Sequence, residues 1–111
     1  MKKDASVLVE HILESIELIE QYLKGKSKID FMGSTQLQDS VIRRIEIIGE
    51  AVRNIPDDIK SKYQDIRWKE ISGMRDILIH KYFGLDLELT WEAAVKDIPD
   101  LKEKILRIKK S

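Results

Sequence analysis

Four side chains near one another in the sequence carry groups able to work on a phosphate: Arg75, Asp76, His80 and Tyr82. A guanidinium presents planar donors that match phosphate oxygens two at a time. An imidazole titrates near neutral pH and can take or give a proton. A neighbouring carboxylate can fix its tautomer or raise its pKa, and a tyrosine can bind phosphate or stack on a base. Helical spacing around Ile71, Met74, Leu78 and Ile79 predicts an apolar stripe, with Arg75 inside it. A guanidinium in such a stripe is costly unless it is paired, opens onto a cleft, or snorkels to the edge. On an ideal helix Arg75 and His80 lie about 140° apart, so helix geometry alone does not bring them together. Asp76 precedes His80 by one turn and shares its face. Gly73, two positions before Arg75, removes bulk where a helix or a ligand could come close.

Other site chemistries lack their residues. The chain has no cysteine, which excludes disulfides, a thiolate nucleophile and cysteine-ligated metals. The only histidines, His11 and His80, fall on different helices, and no helix repeats histidine at one-turn spacing. The five glycines are isolated and form no phosphate loop. His11, between Glu10 and Glu14, reads as a surface histidine.

The elements that must position the cluster are helices. A first is expected from Asp4 to Lys24, closed by Gly25. A second is expected from Ser34 or Thr35 to Asn54, opened by a Ser34 cap and stopped before Pro56. Residues 30–33 form a partly helical connector. Asp57 or Asp58 caps a short turn through Tyr63. A third long helix should run from Arg67 to Lys81, with Gly84 just past it. A fourth starts at Asp86 or Thr90 and is broken or restarted at Asp97-Ile98-Pro99. No alternating stretch is long enough for a strand. The expectation is an all-α antiparallel bundle of four or five helices, one domain over residues 1–111.

Twenty basic and twenty acidic side chains in 111 residues give zero net charge, so nothing steers the whole chain to nucleic acid. The basic run Lys102, Lys104, Arg107, Lys109 and Lys110 is expected to complement a helix dipole rather than to track RNA. Arg43 and Arg44 are expected to pair with Asp39, Glu46 or Glu50. Trp68 and Trp91 read as core or interface anchors. No segment has the length or apolarity of a membrane span or a signal peptide, and the expected location is the cytoplasm. A domain this small buries a limited core, which favours association with a second copy.

The segment Arg75-Asp76-Ile77-Leu78-Ile79-His80-Lys81-Tyr82 resembles the Arg-x4-His-x-Tyr motif of HepT-type HEPN ribonuclease toxins. Arg44 to Ala51, Trp68 with Ile71, Gly73 and Met74, Phe83-Gly84, and Trp91 with Asp97-Ile98-Pro99 extend the likeness over nearly the whole chain. Asp76 and Arg67 depart from the asparagine and proline common at those places. The resemblance implies a HEPN-like homodimer with one composite, metal-independent RNase cleft, Arg75 and His80 catalytic, Asp76 and Tyr82 supporting, and no cofactor. It also implies a nucleotidyltransferase antitoxin of the MntA type that adds AMP to Tyr82. The rival expectation is a non-catalytic helical partner of a nucleotidyltransferase, which zero net charge favours. A third is a structural dimer in which Arg75 pairs with a carboxylate across the interface.

Overall fold

The computed structural model describes residues 3–80 and 84–110, with only the backbone described at 3, 4, 79, 80, 84 and 85. Nearly all of this chain is helical. The first helix, α1 (Lys3–Leu23), buries Val9, Ile12, Ile16 and Ile19 along one stripe. It ends at Gly25, whose φ of 73° is the left-handed conformation that a side chain disfavours. The expected connector is a single helical turn, α2 (Lys28–Met32). Its capping box is complete: the Asp30 amide donates to Ser27 Oγ, and the Ser27 amide donates to the Asp30 carboxylate at 2.9 Å. Those bonds hold the Asp30 pKa below its ordinary value.

The next helix, α3 (Thr35–Arg53), starts at Ser34, whose hydroxyl accepts from the Leu37 amide at 3.1 Å. The Gln38 amide donates to the carbonyls of Phe31 and Met32 and ties α2 onto α3. Val41, Ile45, Ile48 and Val52 of α3 are buried. Each such side chain contributes about 2 kcal/mol relative to exposure. The short helix α4 (Asp57–Lys62) has Pro56 at its cap position and no side-chain cap. Asp57 and Asp58 lie inside its first turn, where they favour the helix dipole, and neither caps it as expected.

The third long helix does not form. The chain makes α5 (Trp68–Ser72), turns at Gly73, makes α6 (Met74–Leu78), and then leaves the helical path. Ile79 and His80 form a two-residue strand, β1, antiparallel to β2 (Gly84–Leu85), with Ile79 opposite Leu85 and His80 opposite Gly84. The Asp86 amide donates to the Leu78 carbonyl at 2.7 Å and closes this excursion. Isoleucine at 77 and 79 lowers helix propensity, and the strand pair takes the backbone bonds that a further helical turn would have used.

The last third is one continuous rod. It runs through α7 (Leu87–Glu92), a π-helical turn (Ala93–Asp97) and α8 (Ile98–Lys110). Asp86 caps it by accepting from the Leu89 amide at 3.0 Å. Pro99 neither breaks nor ends the rod. It cannot donate an amide, and its ring crowds the carbonyl four residues back. The wider turn, closed by the Ile98 amide donating to Ala93, provides room there.

The helix α1 packs against both α3 and α8. Ion pairs Glu20–Lys102 (2.7 Å) and Glu10–Lys109 (3.0 Å) show that α8 runs antiparallel to α1. Phe31 and Trp91 meet with ring centroids 5.6 Å apart, joining α2 to α7. Trp68 donates its indole N–H to the Tyr63 carbonyl at 3.1 Å. Among the described residues no helix is long and apolar enough to cross a membrane.

One glycine sets the crossing of α3 and α5. A Cβ on Gly49 would meet the Ser72 carbonyl oxygen at 3.2 Å and that of Ile71 at 3.5 Å, both rigid backbone. A Cβ on Gly73 would meet only ordinary contacts at 3.5 and 4.0 Å, so the close approach expected at Gly73 occurs at Gly49. Gly49→Ala is expected to destabilise the fold by about 1–3 kcal/mol in denaturant unfolding. Gly73→Ala should change stability by less than about 1 kcal/mol. Equal effects would mean that the crossing is not set by Gly49.

Candidate functional site

Arg75 occupies the short helix α6, which the Gly49 crossing holds against α3. Its side chain is not sealed in the apolar stripe that the spacing predicts. It is 49% exposed and lies between two carboxylates. Nε lies 3.5 Å from Glu46 Oε2 on α3, and Nη1 lies 3.4 Å from Asp76 Oδ1. Leu78 of the expected stripe is buried and Ile71 and Met74 pack against the core, so what differs is the place of Arg75 itself, which faces out between the carboxylates.

These two contacts engage one edge and one terminal nitrogen of the guanidinium. Among the described residues the remaining N–H groups have no ion-pair partner, and an incoming anion would meet them in the planar two-point geometry characteristic of arginine. Both carboxylates are partly exposed, Glu46 at 34%, so water screens the pairing and phosphate can compete for the cation.

Asp76 does not sit one turn before His80 on a shared helical face, because the helix stops at Leu78. Its carboxylate points to Arg75 instead. The backbone carries His80 out of α6 on β1, so the 140° helical separation no longer applies. The His80 side chain and all of Tyr82 lie outside the described residues.

Beside Arg75 the outward face of α3 carries a shallow depression of about 340 Å³, lined by Arg43, Glu46, Ile47 and Glu50. Glu50 pairs with Arg53 at 3.3 Å, and Arg53 also reaches the Ser72 carbonyl at 3.5 Å. Among the described residues, Arg43 and Arg44 do not make the pairs expected with Asp39, Glu46 and Glu50. Glu46 is the residue that sequence reasoning missed as a partner. Its signal lay within the Arg44–Ala51 stretch, but a pairing between helices cannot be read from spacing along one helix.

The basic C-terminal run is largely committed to ion pairs. Lys102 and Lys109 reach α1, Lys104 pairs with Asp100 at 2.9 Å, and Arg107 pairs with Asp65. The Arg107 hydrogen bond holds the Asp65 carboxyl below its ordinary pKa, and Glu20 raises the Lys102 ammonium. Interhelical ties therefore add to the expected dipole role. His11 is exposed, as its neighbours imply.

The ribonuclease HepT-like family model matches residues 12–108. A gamma-glutamylcyclotransferase and putative RNase from Methanocaldococcus jannaschii is 62% identical over 108 residues, which is 97% of this chain and 49% of that protein. The chain therefore spans about half the length of that relative. A probable ribonuclease HepT from Thermococcus cleftensis is 44% identical over 110 residues, 99% of this chain and 100% of that protein. A putative RNase from Caldanaerobacter subterraneus subsp. tengcongensis is 43% identical over 100 residues, 90% of this chain and 89% of that protein. No solved structure matches the chain significantly.

Removing Glu46 should loosen Arg75 without unfolding the bundle. In Glu46→Ala the Arg75 Nε–H is expected to exchange with water faster by NMR, while stability changes by no more than about 1 kcal/mol. Unchanged exchange would show that Glu46 does not hold the guanidinium.

Proposed function

The chain belongs to the ribonuclease HepT-like family, and on that premise we propose that it is a metal-independent endoribonuclease toxin acting through Arg75 and His80. The observation that carries this is the half-exposed Arg75 guanidinium, held on its Nε edge by Glu46 and at Nη1 by Asp76, with the rest of its half-exposed surface facing solvent. His80 follows it on the strand that leaves the same short helix.

RNA contains its own nucleophile. One imidazole takes the proton of a ribose 2′-hydroxyl, and the 2′-oxygen attacks the adjacent phosphorus. Arg75 stabilises the charge that grows on the equatorial oxygens. The bond from phosphorus to the 5′-oxygen breaks, and that oxygen takes a proton from an acid. The products are a 2′,3′-cyclic phosphate and a 5′-hydroxyl end. Base and acid are needed in a single turnover, and each chain has one histidine in this region. A homodimer whose two copies share one cleft supplies both. The depression at Arg43, Glu46, Ile47 and Glu50 adjoins Arg75 through Glu46, and Ile77 on α6 is an exposed apolar side chain that such an association would cover.

Arg75→Ala and His80→Ala are each expected to lower cleavage of an RNA oligonucleotide by at least a hundredfold, with the dimer intact by light scattering. A mixed dimer of wild-type and His80→Ala chains should stay about as inactive as the variant itself, because the shared cleft then holds one imidazole and lacks either the base or the acid. Wild-type cleavage by both single variants would remove the mechanism. A folded wild-type protein that cuts no RNA yet binds a nucleotidyltransferase would favour the non-catalytic partner instead.

Control by a partner follows the same chemistry. The proposed antitoxin is a nucleotidyltransferase of the MntA type. The Tyr82 phenol oxygen attacks the α-phosphorus of ATP, pyrophosphate leaves, and the phenol proton is lost. The added AMP places negative charge where RNA phosphate must sit. Mass spectrometry after incubation with the cognate enzyme and ATP should locate one AMP on Tyr82, together with loss of cleavage. Modification elsewhere, or undiminished cleavage, would contradict it.

A further inference from the structure

A second concavity lies away from the Glu46 face. It is a cleft of about 300 Å³ between α5–α6 and the middle of the rod, where the π-helical turn passes into α8, at the lower end of the range for small-ligand sites. Its floor is apolar: Ile66, Ile71, Met74 and Leu101. One wall carries Arg67 and Glu70, and the other carries Asp97, Asp100 and Lys104.

The polar groups of this cleft divide into committed and free. Lys104 is tied to Asp100 at 2.9 Å and to the Asp65 carbonyl at 3.3 Å. Among the described residues, no ion pair joins Arg67, Glu70 or Asp97 to any other group. The cleft thus offers donors from Arg67 and acceptors from Glu70 and Asp97 above a flat apolar floor. Asp97 reaches the rim as the last residue of the π-helical turn, and such turns are frequent at functional sites. Met74 of the floor is the residue before Arg75 on a helix about 10 Å across, so the cleft and the guanidinium lie within a nucleotide or two of each other.

We propose that this cleft is a base subsite that selects guanine in the RNA substrate; the inference rests on RNA being that substrate. Guanine carries two acceptors, O6 and N7, on one edge, and two donors, N1–H and N2–H, on another. Arg67 takes the acceptor edge in the bidentate manner familiar from guanine recognition. Asp97, on the opposite wall, takes the donor pair. The ring lies on Ile71, Met74 and Leu101. Adenine turns the N1 lone pair toward a carboxylate, cytosine lacks the second donor, and uracil offers a single N3–H flanked by two carbonyl oxygens.

The intact protein is titrated with guanosine 5′-monophosphate and, separately, with the adenosine, cytidine and uridine monophosphates, followed by NMR. Guanosine monophosphate is expected to bind at least tenfold more tightly than the other three and to shift the Arg67, Met74 and Asp97 signals. Asp97→Ala and Arg67→Ala, both on exposed side chains, should each weaken it by about tenfold and flatten the preference. Equal affinity for all four nucleotides, or unchanged binding in the Asp97 and Arg67 variants, overturns the subsite. Selective binding by a wild-type protein that cuts no RNA would leave the subsite standing and remove the ribonuclease assignment.

Discussion

The site depends on two backbones being allowed to touch. At Gly49 the absence of a Cβ lets α3 lie against the carbonyls of Ile71 and Ser72. That crossing fixes the end of α5, the turn at Gly73 and the start of α6. It therefore sets the distance at which Glu46 on one helix meets Arg75 on the next. A side chain at 49 would push α5 outward, and the guanidinium would move with it. The core supplies stability through α1, α3 and α8, but this one approach converts a helical bundle into a bundle with an oriented arginine.

Arg75 holds its place by balance rather than by burial. A fully buried guanidinium would need complete pairing, because removing it from water costs several kcal/mol. Here two partly exposed carboxylates hold it loosely, and the side chain keeps half its surface open. Elsewhere the chain uses its charges as ties, with Lys102, Arg107 and Lys109 each bonded to an acid on another segment. The twenty basic and twenty acidic side chains cancel in number, and these ties bring many of them together in space. Whatever binds an anion must then do so through a local set of aimed donors, and an arginine with unused N–H groups offers one.

Where periodicity was long, the fold was legible from residues. The stripes of α1 and α3, the Ser34 cap and the left-handed Gly25 follow directly from spacing and local chemistry. The stretch from Arg67 to Lys81 was not legible, because its apolar spacing fits a helix while a strand pair to residues 84–85 competes for the same backbone groups. Pro99 misleads for a related reason: a wider turn accommodates it, and no sequence rule places that turn. At the site, Arg75 stood out by type and position, while its exposed place between two carboxylates was not contained in spacing along one helix. The Glu46 partnership and the Arg67–Asp97 cleft are tertiary, and one-dimensional spacing does not contain them.

The bond from the Asp86 amide to the Leu78 carbonyl gives residues 79–85 a pinned base. The chain leaves the bundle and rejoins it at nearly the same point. Insertions, deletions or attached bulk between those two anchors leave the register of the helices on either side untouched. The framework can therefore hold its shape while the segment bearing the histidine and the tyrosine diverges, so evolution can retune that segment independently of the scaffold.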